Sequence, residues 1–311
     1  MNMNRSQPCE NLNSSTPLVP LSPFRVRSYP AMPVPLNPGE RSHDEYDGDA
    51  DIRAVGIGTL GCRMVQLLAR NLPGVTCHEI APTNEQGASD DIAMLLSSIR
   101  TSHLVFILTG FDNENSDSVA QAVGRASCGA GVLTLVVTPR TGYIVPQCEG
   151  EQGKWYDAMF SVSDESLPEQ QEAVVLSTDT LIGYSMRHMV AVLTNLIVHR
   201  RGICIDFADI TAIMKDGSTG RMGVGIASGD SRGATAAERA MERLEAQGIR
   251  MSETTGVLAS VHGSGSISMD DFDAASKVIH EHVSPDANVV VGVISDENLG
   301  GFVKVTLLSA H

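Results

Sequence analysis

One apolar stripe organises this chain. Ile182, Met186, Met189, Val190, Leu193, Leu196 and Ile197 recur at three- and four-residue intervals, which puts them on one side of a helix about five turns long. Ser177, Thr178 and Asp179 offer N-cap oxygens. His199, Arg200 and Arg201 complement the negative end of the dipole, and Gly202 permits a left-handed exit. The stretch then empties into Ile203-Cys204-Ile205-Asp206-Phe207-Ala208-Asp209. Asp206 and Asp209 stand three apart at the start of a short helical pattern, Ile210 to Met214. There they serve either as caps for unpaired backbone N–H groups or as carboxylates facing outward.

The helix divides the chain into an ordered unit before it, residues 51–178, the helix itself, 179–202, and a second unit, 203–311. A chain of 311 residues that is 42% hydrophobic is long enough for two such cores. The formal net charge of −15, with lysine at only Lys154, Lys215, Lys277 and Lys304, excludes a phosphate-tracking surface, so no nucleic-acid partner is expected. The six cysteines (Cys9, Cys62, Cys77, Cys128, Cys148, Cys204) form no Cys-x-x-Cys pair. Neither a metal site nor a disulfide framework is predicted, and a reducing cytoplasm is the expected location. There is no basic-then-apolar leader, and no apolar run reads as approaching the roughly eighteen residues of a membrane span.

Residues 1–50 carry eight of the fourteen prolines and no apolar period, which reads as a disordered tether. Val19, Leu21, Phe24 and Val26 are its candidates for a partner-binding motif. Beyond it, strands are expected at 52–58, 75–80, 103–109 and 132–138, and helices at 64–72, 90–100 and 119–128, with a polar loop from Phe111 to Ser118. Strands alternating with helices imply a parallel sheet covered on both faces. After the central helix the pattern becomes α+β: strands at 222–228 and 256–262, helices at 234–247 and 270–283, and 288–294 with 302–309 as a paired couple.

Three segments give this order a family. Asp206-Phe207-Ala208-Asp209-Ile210, Gly225-Ile226-Ala227-Ser228-Gly229-Asp230-Ser231-Arg232 and Asn288-Val289-Val290-Val291-Gly292 resemble FtsZ, the bacterial tubulin homologue that polymerises into the division ring, in order and approximate spacing. The likeness covers nearly all of residues 51–311. It implies a Rossmann-like N-terminal domain, a long central helix and a smaller α+β C-terminal domain. It also implies a GTP or GDP site built from Gly56, Gly58, Gly61, Arg63 and Gly110, with Asp206 and Asp209 completing hydrolysis on the nucleotide of the next subunit.

The N-terminal half departs from that pattern. Thr59, Leu60 and Cys62 replace glycines, and Arg63 stands where the family has asparagine. After Gly110-Phe111 the family's glycine–threonine loop is replaced by Asp112-Asn113-Glu114-Asn115-Ser116-Asp117-Ser118. A carboxylate about 4 Å from a phosphate charge costs on the order of 4 kcal/mol at an effective dielectric near 20. Between Pro82 and His103 the chain is shorter than the family by a few dozen residues. Gly183 and Tyr184 align with the family's guanine contacts, and Cys204 replaces an asparagine. The resemblance therefore implies an FtsZ paralogue with weak or no GTP binding and no cofactor, inclining against an enzyme acting alone, that regulates or caps FtsZ filaments through its retained face. Two alternatives stay open: a polymerising GTPase with divergent loops, and a nucleotide-independent scaffold that assembles with itself. Family members carry a C-terminal peptide that recruits membrane anchors, and with no tail after His311 that route is not expected.

Competing readings attach to several residues. Gly56-x-Gly58-x-x-Gly61 is either a tight strand-to-helix packing device or an anion site, and in a dinucleotide fold Glu79 is the acid placed to meet a ribose. Asp112, Glu114 and Asp117 read as a solvated acidic loop or a cation site. Cys128 and Cys204 read as small buried hydrophobes, His188 as a surface residue and His199 as a helix-end charge.

Overall fold

The computed structural model describes residues 24–32, 50–82, 88–110, 114–140, 155–168, 178–198, 205–214, 218–265 and 267–311. His199, Cys204, Asp112 and most of the arm lie outside them.

Ten described strands form one sheet. In chain order the elements are β1 (Phe24–Tyr29), β2 (Ile52–Ile57), α1 (Gly58–Asn71), β3 (Val75–Pro82), α2 (Ala88–Ile99), β4 (Leu104–Thr109), α3 (Glu114–Cys128), β5 (Leu133–Pro139) and β6 (Ala158–Val162). Then follow α4 (Thr178–Val198), α5 (Phe207–Ile213), β7 (Ser218–Ser228), α6 (Arg232–Ala246), β8 (Gly256–Gly263), α7 (Met269–His282), β9 (Asn288–Ser295) and β10 (Phe302–Ala310). The strand order is β1-β3-β2-β4-β5-β6-β7-β10-β8-β9. From β3 to β7 the neighbours are parallel. β4 and β5 are buried along their whole length, as expected of parallel strands with helices on both faces.

Side-chain alternation assigns three cores. On one face Leu68 of α1 and Met186, Met189, Val190 and Leu193 of the central helix α4 cover Phe106, Leu135 and Phe160. On the other, α2 and α3 enclose Val55, Ile57, Ile107 and Val136, while α6 and α7 close over Val257, Ala259, Val305 and Leu307. Each fully buried Phe or Leu contributes roughly 1.5–3 kcal/mol. The two halves of the sheet meet where β6 pairs with β7, Ala158 beside Ser218, Met159 beside Thr219 and Phe160 beside Gly220.

Several expectations change. Residues Phe24–Tyr29, within the stretch read as a tether, form β1, paired with β3 from Phe24↔Pro82 to Tyr29↔Cys77. Phe24 is buried against Ile80 and Ile92, so an isolated apolar pair too short to show a period gains its partners from the sheet. β9 and β10 are not paired with each other: β8 lies between them, parallel to β9 and antiparallel to β10. β6 had no place in the sequence reading, since five residues give too little alternation to detect. The polar segment expected to be a loop to Ser118 turns helical at Glu114, because five polar residues at a helix start carry no apolar period.

The central helix also overturns the statement that no stretch is long and apolar enough for a membrane span. Leu181–Val198 meets that test by length and composition, and half of it is buried inside the protein. Its apolar stripe packs on the sheet, which accounts for its hydropathy. His188, read as a surface residue, is held between α4 and the C-terminal strands, with Nε2 2.9 Å from the Thr306 hydroxyl. Burial, with Lys304 and Arg187 nearby, pushes its pKa down to about 3.

Candidate functional site

The residues singled out by sequence fall at two opposite ends of the sheet. At the carboxyl ends of the parallel strands, β2 passes directly into α1. Gly58 takes φ +73° at the junction, a backbone region that side-chain-bearing residues rarely adopt. A Cβ on Gly56 would overlap the carbonyl of Gly61 and crowd Val65, and a Cβ on Gly61 would overlap the carbonyl oxygen of Leu108. Gly56 and Gly61 thus let α1 sit directly on β2 and β4, which fits the packing reading. The N-cap residue Ile57 gives α1 no side-chain cap, and its first turn carries no acid. The first-turn backbone N–H groups of α1, in residues 58–60, lie at this junction. Thr59 and Arg63 are exposed beside them, and Gly110 is half-buried at the end of β4.

The surroundings of that turn are occupied by the protein itself. The Cys62 thiol donates to the carbonyls of Gly56 (3.6 Å) and Ile80 (3.5 Å), closing the space between the ends of β2 and β3. Asp117 is buried in the first turn of α3, so a carboxylate already sits at the positive end of the helix that follows β4. Gly183 faces the methyl end of Met64, 3.1 Å from where its Cβ would lie, and Tyr184 is exposed. Glu79 does not face a ligand crevice. It is buried, accepts hydrogen bonds from the Tyr29 hydroxyl at 2.8 Å and from Gln66, and lies 3.9 Å from Arg27. Only the β1 strand reveals this use; no sequence period pointed to it.

Of the acidic segment only Asp117 can be placed. Asp117 is inside a helix, and Asp112 and the Glu114 side chain lie outside the described residues. Among the described residues no group of three or more His, Cys, Asp or Glu side chains is placed to hold a metal. Cys128 is half-buried with its thiol 3.9 Å from Asp157 Oδ2, a more polar setting than a small buried hydrophobe has.

At the opposite end, α5 begins. Asp206 caps it: Oδ1 accepts from the Ala208 N–H at 3.1 Å, and its carbonyl accepts from the N–H of Asp209 at 3.0 Å. Asp209 stands exposed in the same turn. The capping reading therefore describes Asp206 and leaves the Asp209 carboxylate facing outward. Ile205, Ile210, Ile213 and Met214 anchor the segment in the core, and Phe207 lies edge-on to His103, ring centroids 6.4 Å apart. His103 precedes β4, so α5 lies at the amino ends of the parallel strands.

The central helix spans the two ends. Near its start the Ser185 hydroxyl donates to the Ser163 carbonyl just past β6. Near its end Leu196 and Ile205 crowd Gly292. Twenty-one residues at about 1.5 Å each make a rod of about 30 Å. The glycine turn and the Asp206–Asp209 pair of one molecule cannot meet.

Known proteins resemble this chain in sequence and in fold. The profile described as the FtsZ family, C-terminal domain, matches residues 218–311. The cell division protein FtsZ of Bartonella bacilliformis is 26% identical over 288 residues, covering 88% of this chain and 48% of that protein. The mitochondrial division protein fszA of Dictyostelium discoideum is 24% identical over 269 residues, covering 84% of this chain and 52% of its own length. The chain thus spans about half the length of these curated relatives. Among solved structures, an empty FtsZ dimer from M. jannaschii superposes with a TM-score of 0.67 at 20% identity, covering 86% of this chain and 89% of that one. A GTPgS-bound protofilament of CetZ2 from Haloferax volcanii superposes with a TM-score of 0.57 at 12% identity, covering 84% and 93%. The chain thus has the fold of the tubulin/FtsZ structures along its sheet, and its residues 218–311 match the C-terminal domain of the FtsZ family.

Proposed function

We propose that this chain is a cytoplasmic cell-division protein that acts on FtsZ filaments as a regulator or cap, docking the Asp206–Asp209 face of α5 onto the nucleotide end of a neighbouring subunit. The observation that carries the reading is the placement of these carboxylates. They stand on a short, core-anchored helix far from the glycine turn; Asp206 caps that helix, and the exposed Asp209 carboxylate is the one left to meet another molecule. Support for weak nucleotide binding comes from the other end, where Cys62 fills the strand junction and Asp117 holds the start of α3. A subunit that offers carboxylates without offering a nucleotide ends a head-to-tail filament.

The test is to add the chain to polymerising FtsZ and follow light scattering and GTP turnover. A stoichiometric change in either, lost in Asp209→Asn, is expected, and unchanged kinetics at equimolar ratio would refute the proposal. A second reading, head-to-tail assembly of the chain with itself, draws on the dimer and protofilament forms of its structural neighbours. Sedimentation without nucleotide separates the two: growing oligomers support self-assembly, and a monomer leaves the capping role.

A further inference from the structure

The face of the sheet opposite α4 carries a basic cluster that the filament role does not use. Counting along the strands, Thr138 of β5 pairs with Ser161 of β6, and Arg221 of β7 pairs with Ser309 of β10. All four side chains have the parity of the face that α3 and α6 occupy, and Arg140 joins them two residues after Thr138. Arg140 Nη1 lies 3.3 Å from the Glu165 carboxylate, while Arg243 of α6 donates to the Glu165 carbonyl at 3.5 Å. One turn further along α6, Gln247 donates to the Met222 carbonyl at 2.8 Å, fixing α6 over the strand that carries Arg221.

Arg221 is the unsatisfied member. Its Nη1 donates to the carbonyl of Gly220 at 3.0 Å, but its Nε is buried with no acceptor. Burial and the neighbouring Arg140 both lower its pKa, and His311 is depressed in turn by burial and by Arg221. Among the described residues the Glu165 carboxylate pairs with Arg140 alone of the three, Arg243 reaching its backbone carbonyl, and Glu165 is more than half exposed. A buried guanidinium donor without an acceptor is costly, and an oxyanion with several lone pairs relieves that cost together with the like-charge repulsion. The location, beyond the carboxyl ends of β5 and β6 and against the second half of the sheet, is where open α/β sheets present ligand crevices.

We propose that Arg140, Arg221 and Arg243 form a binding site for a small phosphate-bearing anion on the face of the sheet opposite α4. Half-buried Arg221 supplies the unsatisfied Nε, Arg140 and Arg243 close from the rim, and the hydroxyls of Ser161 and Thr138 line the floor. The site is separate from the glycine turn, so a nucleotide can reach this protein through its phosphates without using Gly56 to Gly61.

Thermal unfolding of the full chain in chloride, inorganic phosphate or GTP at matched ionic strength tests this. A saturable rise in midpoint with phosphate over chloride is expected, with affinity falling about ten- to hundredfold in Arg221→Gln and in Arg140→Gln. Arg70→Gln, on the exposed end of α1, should retain it. If Arg221→Gln fails to fold, the half-exposed Arg140→Gln carries the comparison. A larger rise with GTP that is also lost in these variants identifies the phosphates of a nucleotide as the ligand, and equal rises identify free phosphate. No phosphate-specific rise, or a rise that survives both substitutions, would overturn the proposal.

Discussion

The two ends of the parallel sheet use their backbone in opposite ways. At the carboxyl end, Gly56 and Gly61 draw α1 against β2 and β4 until no Cβ fits, and Cys62, Asp117 and Met64 take up the space around the turn. At the amino end, α5 is pinned from beneath by Ile205, Ile210 and Ile213 and holds Asp209 in the open. The first end is close-packed, while the second presents a rigid polar surface. At the first, an added side chain meets backbone; at the second, the Asp209 side chain stands in solvent.

That difference orders the expected effects of substitution. The largest belongs to the packed end: Gly61→Val should destabilise by about 3 kcal/mol or more, since the obstacle is the Leu108 backbone and not a movable side chain. Denaturant titration measures it, and a variant as stable as the parent would reopen the turn as a ligand loop. The next concerns the rod between the ends. His188 ionises at about 3 in the fold against 6.5 when free, so below pH 6.5 the unfolded chain takes up a proton that the folded chain refuses. Stability contributed by the neutral ring is complete above pH 6.5 and falls by about 1.4 kcal/mol per pH unit towards 3. Unfolding free energies measured between pH 7 and 4 should show this slope, and His188→Gln should flatten it.

A smaller loss is expected at the C-terminal half's own lock. Arg232 grips Asp271 with bonds of 2.8 and 3.0 Å, and the guanidinium, with the hydrogen bonds from Ser268, holds the Asp271 carboxyl down at about 2. Its contribution is present above pH 3.8 and fades as pH falls towards 2, and Asp271→Ala should cost about 2 kcal/mol at neutral pH. At the open end, Asp206→Ala removes a cap and should cost about 1 kcal/mol. Asp209→Asn should change stability by less than about 0.5 kcal/mol while abolishing any effect on FtsZ turnover. A large stability loss in Asp209→Asn would place that carboxylate with the packed residues and dissolve the contrast between the two ends.

Much of the fold was legible in the sequence because long apolar periods survive without tertiary information. The central stripe from Ile182 to Ile197 and the buried runs 104–109 and 133–139 declare themselves locally. The residues that escaped are those whose role depends on a distant partner. Phe24 and Tyr29 acquire meaning only when β1 meets Ile80 and Glu79, and His188 only when β10 brings Thr306. Pairing order in the second half was misread for a related reason: consecutive strands suggest a hairpin, whereas β10 inserts between β7 and β8. The two aspartates were visible from spacing alone, but their separation from the glycine turn required the length and direction of α4.

Equilibrium binding of labelled GTP and GDP, carried out on the parent chain and on Arg221→Gln, tests the central contrast most directly. No saturable micromolar binding is expected at the glycine turn: any affinity of the parent should disappear in Arg221→Gln and be indifferent to Arg63→Ala. Micromolar binding that persists in Arg221→Gln and is lost in Arg63→Ala would show that the packed end still holds a nucleotide, contradicting the division of roles between the two ends.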